Sequence, residues 1–203
     1  VKEAAQRLIS KGVNESAIRH MTLPRGKGVA DDILAYASAK TVDAILVGRR
    51  GASYLKQWFV GSVTANLVEH SKVIPIWVVD GQVQSNDILL SVDGSQSALR
   101  ALDHLSFMLS GQPDSAIQLI HVRPILQDYC EIKLDEDNTK AAQSIIWDDD
   151  QNCMDDFHSQ AITVLKKNGF DISKMKLETL EGNLSVTRAI IGYARENDFG
   201  TIV

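Results

Sequence analysis

Three glycines and a serine form the pattern best suited to chemistry in this chain. Gly48 and Gly51 lie close together, and Gly61 and Ser62 follow after nine further residues. The pattern comes directly after the apolar run 44–47 and opens a segment with helical spacing. Glycines at such a turn let backbone N–H groups approach an anion closely, and a helix N-terminus adds partial positive charge. The spacing indicates a phosphate site, but turn glycines with Ser62 as an N-cap explain it equally well.

Polar side chains beside strand ends add candidates for ligand binding. The hydroxyls of Ser62 and Thr64 are further possible donors to a phosphate. Asp93 follows the apolar run 87–92, and a carboxylate there accepts hydrogen bonds from ribose hydroxyls. The alternative for Asp93 is that it caps the helix expected to start at Ser95.

Other chemistries are disfavoured by the sequence. The chain has no GxxxxGK[ST] motif, which argues against a Walker-type ATPase, and no arrangement of serine, cysteine and histidine that indicates a nucleophile. The acidic segment 148–158 has the composition of a solvated helix face rather than a metal site. Cys130 and Cys153 are expected to be free thiols. The net charge of −5 argues against nucleic acid or an anionic membrane as the main partner.

The elements that position these residues alternate between strands and helices. Apolar periodicity and turn residues predict helices over 1–9, 29–39, 61–70, 96–109, 136–167 and 184–195, and strands over 17–23, 44–47, 73–79, 87–92, 116–122, 175–180 and 201–203. Pro75 suits a strand at a sheet edge. The alternation predicts an α/β fold, with an open twisted parallel sheet and helices on both faces.

The chain contains an internal repeat. A shift of 157 positions places residues 8–46 over residues 165–203 without a gap. Identical pairs fall on helix ends, strand ends and buried stripes, as expected of two copies of one fold: Leu8/Leu165, Gly12/Gly169, Ser16/Ser173, Thr22/Thr179, Leu23/Leu180, Val29/Val186, Ile33/Ile190, Tyr36/Tyr193, Ala37/Ala194 and Ile45/Ile202. We expect residues 1–81 to be the back of one domain, 82–86 a linker, and 87–203 the front of a second domain.

The glycine pattern and its surroundings resemble a known family. The pattern at 48–62 is similar to the nucleotide motif of the ATP-binding branch of the universal stress protein family, and the strand 73–79 after it fits as well. The opening of the second copy, 88–95, resembles that family's first strand and turn, and 119–122 its second strand. The resemblance implies a fold of the adenine-nucleotide alpha-hydrolase-like type in two related units, each incomplete in this chain.

The resemblance also assigns a role to each matching residue. Asp93 would hold the adenosine end of a nucleotide, and the backbone at Val122 would meet the adenine. The phosphates would be carried by the glycine motif and the residues after it, namely Gly48, Gly51, Gly61, Ser62, Val63 and Thr64. The family draws all of these from one domain, whereas here they come from different copies. The chain is then either part of a longer tandem protein, which we favour, or a permuted domain.

The expected function is reversible binding of ATP or AMP, with Mg²⁺ as a possible companion, in a regulatory protein of the stress response. We expect no catalytic residues and no resident metal. The alternatives are a weak ATP hydrolase and a stress scaffold that binds no nucleotide. The expected partner is a second copy or the other half of the tandem, paired through strand 73–79, and the expected location is the cytoplasm.

Overall fold

The chain forms two compact units, Val1–Gly81 and Gln82–Val203, which we call the first and second unit. The structure, a computed structural model, describes residues 2–49, 60–81, 83, 85–110, 115–126, 135–181 and 185–203. Gly51 of the glycine motif, Cys130, and Gln82 and Gln84 of the expected linker lie outside the described residues.

The first unit packs helices on a short parallel sheet. Its elements are α1 (Lys2–Ser10), α2 (Val29–Lys40), β1 (Ile45–Gly48), α3 (Ser62–His70) and β2 (Ile76–Val79). β1 and β2 pair in parallel, in a register that runs from Ile45 opposite Ile76 to Gly48 opposite Val79. The buried centre of the unit combines β1 with one face each of α2 and α3, through Ala30, Ala37, Ile45 and Leu67.

The strand predicted over 17–23 is wrong. The structure has a 3-10 turn at Glu15–Ala17 and no regular element from there to α2 among these residues. The sequence pattern of a strand indicates only which face of the sheet each side chain would occupy. A strand also needs a neighbouring strand that pairs with its backbone N–H and C=O groups. The sheet described in the first unit contains only β1 and β2, so the segment has no strand beside it.

The second unit is a four-stranded parallel sheet with helices. Its elements are β3 (Ile88–Ser91), α4 (Gln96–Met108), β4 (Ile117–Val122), α5 (Glu136–Lys167), β5 (Met175–Leu180), α6 (Val186–Glu196) and β6 (Thr201–Ile202). The strand order is β5-β4-β3-β6. β3 therefore lies in the interior of the sheet. β4 pairs along one side of β3, and β6 pairs along the other side.

Helices cover both faces of this sheet. Leu89 and Ile120 pack with Ala194 of α6 on one face. His121, the next residue along β4, bonds Asp150 of α5. Because successive side chains of a strand point to opposite faces, α5 and α6 lie on opposite faces. The predicted α/β fold with a parallel sheet is confirmed, and the predicted bounds of α5 and β5 match those observed.

The repeated segments share local structure beyond their element types. Gly12 and Gly169, which match under the 157-residue shift, both have positive φ, at 92° and 71°. Asn14 and Asp171 match as well, and each side chain accepts a hydrogen bond from the backbone N–H two residues later, at the start of a 3-10 turn. The glycine supplies the left-handed conformation that ends each helix.

We predict that Gly200→Ala destabilises the second unit. A Cβ at Gly200 would lie 1.9 Å from the carbonyl oxygen of Ser85, so the backbone that leads into β3 or β6 must move. The expected loss is more than about 2 kcal/mol, measured as faster amide hydrogen exchange in β3. Gly192→Ala is the matched control, because its added Cβ meets nothing within 4 Å and alanine suits a helix better than glycine by about 0.5–1 kcal/mol. Equal exchange in the two variants would contradict the prediction.

Candidate functional site

A pocket of about 500 Å³ opens at the carboxyl edge of the second unit's sheet. It lies beside the ends of β3, β4 and β6 and is lined by Asp93, Val122 and Val203 together with Val186 from the start of α6. Neighbouring strands lead away from β3 in both directions, and such a switch point is where open parallel sheets bind ligands. The structure thus brings together Asp93 and Val122, two residues that the sequence assigned to one ligand.

The carboxylate of Asp93 is exposed and ionised. Its Oδ1 accepts a hydrogen bond of 3.0 Å from the backbone N–H of Ser95. The side-chain hydrogen bond with Ser95, reinforced by this backbone bond, holds the pKa of the Asp93 carboxyl below its ordinary value of 3.8. The ionised Asp93 carboxylate therefore stabilises the folded unit at pH values above 3.8. This contribution to the free energy of unfolding is lost as the pH falls through the lowered pKa of Asp93.

The helix at this edge is capped by Ser95 rather than by Asp93. The Ser95 hydroxyl accepts a hydrogen bond from the backbone N–H of Ala98, in the usual N-cap geometry. Asp93 therefore lies two residues before the N-cap, where its carboxylate orients Ser95. The alternative in which Asp93 itself caps α4 is wrong, because the N-cap position belongs to Ser95.

A buried pair, His121 and Asp150, forms one wall of the pocket. His121 is 5% exposed. Its Nδ1 lies 3.0 Å from the carbonyl oxygen of Val92, and because a carbonyl only accepts, Nδ1 carries a proton. Its Nε2 lies 2.9 Å and 3.0 Å from the two carboxylate oxygens of Asp150. The ring thus joins the ends of β3 and β4 to the middle of α5.

The role of Asp150 corrects the expectation that the acidic segment is a solvated face. Asp150 turns inward toward His121, whereas its neighbour Asp149 is exposed. The sequence contains a signal for His121 but none for Asp150. His121 places a polar side chain inside a buried strand, and such a side chain needs a hydrogen-bond partner. Its partner lies 29 residues away, on a helix whose rotation about its axis the sequence does not determine.

The loop after β4 is fastened to α5 near the same pocket. Trp147 donates its indole N–H to the carbonyl oxygen of Pro124 over 3.0 Å, and Gln143 bonds both Pro124 and Leu126. The guanidinium of Arg123 lies over the Trp147 ring, 5.3 Å from its centroid, and pairs with Glu181. These contacts fix the backbone that follows Val122.

The two described ends of the glycine motif, 48–49 and 60–62, are bonded to one another and to α3 in the first unit. The Thr64 hydroxyl donates to the carbonyl oxygen of Gly48 over 2.9 Å, and Gly61 N–H donates to the carbonyl oxygen of Arg49 over 2.8 Å. Thr64 is buried. Its hydroxyl and the Gly61 N–H therefore hold β1 against α3.

The start of α3 keeps the features of an anion site. Gly61 is its N-cap and provides no side-chain hydrogen bond. The first N–H groups of a helix have no acceptor within it, and in α3 these include the N–H groups of Ser62 and Val63. Both residues line a pocket of about 410 Å³, together with the cationic side chain of Arg25 and the acidic side chain of Asp31. The sequence interpretation did not include Arg25, which precedes α2 in a turn without a motif.

The described residues provide neither a metal centre nor a membrane span. No group of three or more His, Cys, Asp or Glu side chains among them is arranged to hold a metal ion. Cys153 is a free, exposed thiol. None of the helices in the described part of the chain is both long and apolar enough to cross a membrane.

Comparison with known sequences assigns the first unit to a family. Residues 1–80 match the model of the universal stress protein family. The resemblance seen in the sequence is thus confirmed for the first unit. No curated protein matches the chain significantly.

Two solved structures share the fold at low sequence identity. A functionally unknown protein from Pseudomonas aeruginosa PAO1 is 16% identical, with a TM-score of 0.53 over 97% of this chain and 62% of its own. A protein of Pseudomonas aeruginosa UCBPP-PA14, provisionally assigned to the universal stress proteins, is 16% identical, with a TM-score of 0.51 over 97% of this chain and 63% of its own. The chain thus spans less than two thirds of either. A universal stress protein family member from Burkholderia pseudomallei is 20% identical, with a TM-score of 0.42 over 61% of this chain and 82% of its own.

We predict that Asp150→Ala destabilises the second unit by about 1–3 kcal/mol, because Nε2 of the buried His121 loses its partner. Asp149→Ala is the matched control and should change stability by less than about 0.5 kcal/mol, since this side chain is exposed. Asp150→Asn should recover part of the loss through its amide. The free energy of unfolding is measured by urea denaturation, and the local effect by amide hydrogen exchange in β4. Equal effects of the two alanine variants would rule out the role given to the pair.

Proposed function

We propose that the protein binds an adenine nucleotide as a regulatory module of the stress response, and that it binds its ligand without turning it over. The observation that carries the proposal is the pocket at the switch point of the second unit, where Asp93 and Val122 lie on one cavity wall. The match of the first unit to the family model supports the biological setting.

The pocket has the size and chemistry for a nucleoside. Its volume of about 500 Å³ lies within the roughly 300–1,000 Å³ usual for small-molecule sites. Val122, Val186, Ile190 and Val203 give it apolar walls for a base. The ionised Asp93 at its rim accepts hydrogen bonds from ribose hydroxyls. Carboxylate acceptors beside apolar walls suit adenosine better than a free phosphate.

The start of α3, in the first unit, has the chemistry for a phosphate group. The first N–H groups of this helix, an N-cap without a side chain, and Arg25 in the same pocket favour an anion. ATP and AMP both carry the required phosphate. A Mg²⁺ ion would arrive with the nucleotide, held by phosphate oxygens.

Binding without turnover fits the state of His121 and Asp80. Both ring nitrogens of His121 are engaged, by Val92 and Asp150. Beside the glycine motif, the carboxylate of Asp80 is paired with Arg49 at 2.6 Å. A general base must reach the proton that it removes, and these groups are committed to internal partners.

A scaffold role without nucleotide is the second candidate. The observation that favours it is that the Thr64 hydroxyl and the Gly61 N–H donate to the backbone carbonyls of Gly48 and Arg49. Fewer donors of the glycine motif then remain for a phosphate. In either function we propose that copies associate through the edge strand β2, where Val78 and Val79 are exposed.

Separate ligands test the two pockets. Adenosine and ATP are titrated into the full chain by isothermal titration calorimetry. The residues at each binding site are then identified by NMR from changes in amide chemical shifts. We expect Asp93→Asn to weaken adenosine binding at least about tenfold, since a hydrogen bond to a charged group is worth about 1.5–3 kcal/mol. Asp156→Asn, an exposed carboxylate on α5, should leave it unchanged. Equal adenosine affinity in Asp93→Asn and the parent chain would refute the assignment.

A proline tests the phosphate end. Ser62 occupies the first helical position of α3, and Gly61 is extended, with ψ of 143°, so Ser62→Pro fits the backbone while removing one N–H donor and the hydroxyl. We expect it to weaken ATP binding severalfold and to leave adenosine binding unchanged. Ser62→Ala, which keeps the N–H, should have the smaller effect. Identical ATP affinity in all three chains, or release of ADP over time, would contradict the proposal.

A further inference from the structure

The start of α4, which lies at the pocket of the second unit, already holds an anion. The side chain of Ser95 and its backbone N–H both bond the carboxylate of Asp93, the N–H over 3.0 Å, and they keep the pKa of this carboxyl below 3.8. A helix N-terminus stabilises negative charge through its unpaired N–H groups. Because a carboxylate of the protein takes this place in the second unit, a ligand phosphate beside it meets a like charge.

Two side-chain donors on the pocket wall are used within the protein. The hydroxyl of Ser91 donates to the carbonyl oxygen of Val203 over 2.9 Å, and both ring nitrogens of His121 face acceptors of the protein. A phosphate group needs donors, because its charged oxygens act as acceptors. Asp93 keeps acceptor capacity, since a carboxylate has about four acceptor positions. The pocket therefore favours a ligand that supplies hydrogen-bond donors.

The buried pair of His121 and Asp150 adds no net charge to the pocket. Nδ1 of His121 carries a proton toward the carbonyl oxygen of Val92. Nε2 lies 2.9 Å from a carboxylate oxygen of Asp150, a hydrogen-bond distance that requires a proton between the two atoms. Whichever atom holds that proton, the two side chains together are neutral. Among the described residues that line the pocket there is no lysine or arginine, so Asp93 determines the sign of its charge.

The start of α3 in the first unit has a different charge environment. Its N-cap is Gly61, which provides no side-chain hydrogen bond. The cationic Arg25 lines the pocket there, together with the acidic Asp31. A phosphate beside α3 therefore has a cationic side chain with which it can pair, whereas a phosphate at the start of α4 lies next to the carboxylate of Asp93.

We propose that the pocket of the second unit selects nucleosides whose 5′ substituent is uncharged or cationic, and that Asp93 excludes their 5′-phosphate esters. This inference rests on the proposed function, because it takes the adenosine site at Asp93 and Val122 as its starting point. The ribose hydroxyls donate to Asp93, and the base lies against the apolar walls. The selection combines this attraction with a repulsive element, the like charge that a phosphate meets.

Ligands that differ only at the 5′ position test this selection: adenosine, AMP, 5′-methylthioadenosine and 5′-amino-5′-deoxyadenosine. Each is titrated into the full chain, and its affinity for this pocket is obtained by NMR from the amide chemical shift of Val122. 5′-Methylthioadenosine is the matched control for AMP, because it adds bulk at the 5′ position without charge. We expect AMP to bind at least about tenfold more weakly than 5′-methylthioadenosine, and the amino compound, which carries an ammonium group, to bind severalfold more tightly than adenosine.

Two changes should remove the discrimination against AMP. Asp93→Asn keeps an oxygen that accepts from Ser95 but removes the charge, and it should bring the affinities of AMP and 5′-methylthioadenosine to within about twofold of each other. Salt at about 1 M shortens the Debye length to about 3 Å and should reduce their ratio in the parent chain. Asp156→Asn, which removes an exposed carboxylate of α5, should leave the ratio unchanged.

The outcomes separate this inference from the proposed function. If AMP and 5′-methylthioadenosine bind at Val122 with equal affinity, or if Asp93→Asn leaves their ratio unchanged, the exclusion of phosphate esters by Asp93 is overturned while adenosine binding stands. If none of these ligands changes the amide shift of Val122, the adenosine site itself is overturned, and this inference fails with it.

Discussion

The second unit depends on the pairing of one short strand, β3, along both of its edges. Backbone N–H and C=O groups buried away from water must be paired, and β4 and β6 satisfy those of β3 from opposite sides. Because β6 comes last in the chain and lies across β3 from β4, α6 must cross the sheet to place it. The crossing of α6 buries Leu89 and Ile120 against Ala194. The helices and the core of this unit follow from that arrangement.

The same pairing creates the pocket. Strands that lead away from β3 in both directions leave a crevice at their carboxyl ends, and the residues that end them, including Asp93 and Val122, line it. The buried His121 then fixes the geometry of the wall, since one ring bonds the end of β3 and a carboxylate of α5. The binding chemistry is thus a consequence of where the strands end.

The first unit shows what the repeat does without a central strand. α2, β1 and α3 still form, around the shared core of Ala37, Ile45 and Leu67. The described ends of the glycine motif are held together through the bonds of Thr64 and Gly61. Residues 18–23 and the outer edge of β1 pair with no described strand. The candidate pocket of the second unit, by contrast, requires the sheet.

The sequence by itself determined most of the elements, the parallel α/β class and the resemblance of the first unit to the universal stress protein family, because periodicity, turn glycines and the glycine motif are local signals. It located α5 and β5 at their observed bounds and identified the repeat, whose matching turns at Asn14 and Asp171 adopt one geometry. Only the tertiary structure decided that residues 18–23 form no strand while their counterparts do, that Asp150 turns inward, and that the Thr64 hydroxyl is used internally. Each of these depends on what lies beside a residue in space, and pairing between distant segments leaves no signature in a window of neighbouring residues.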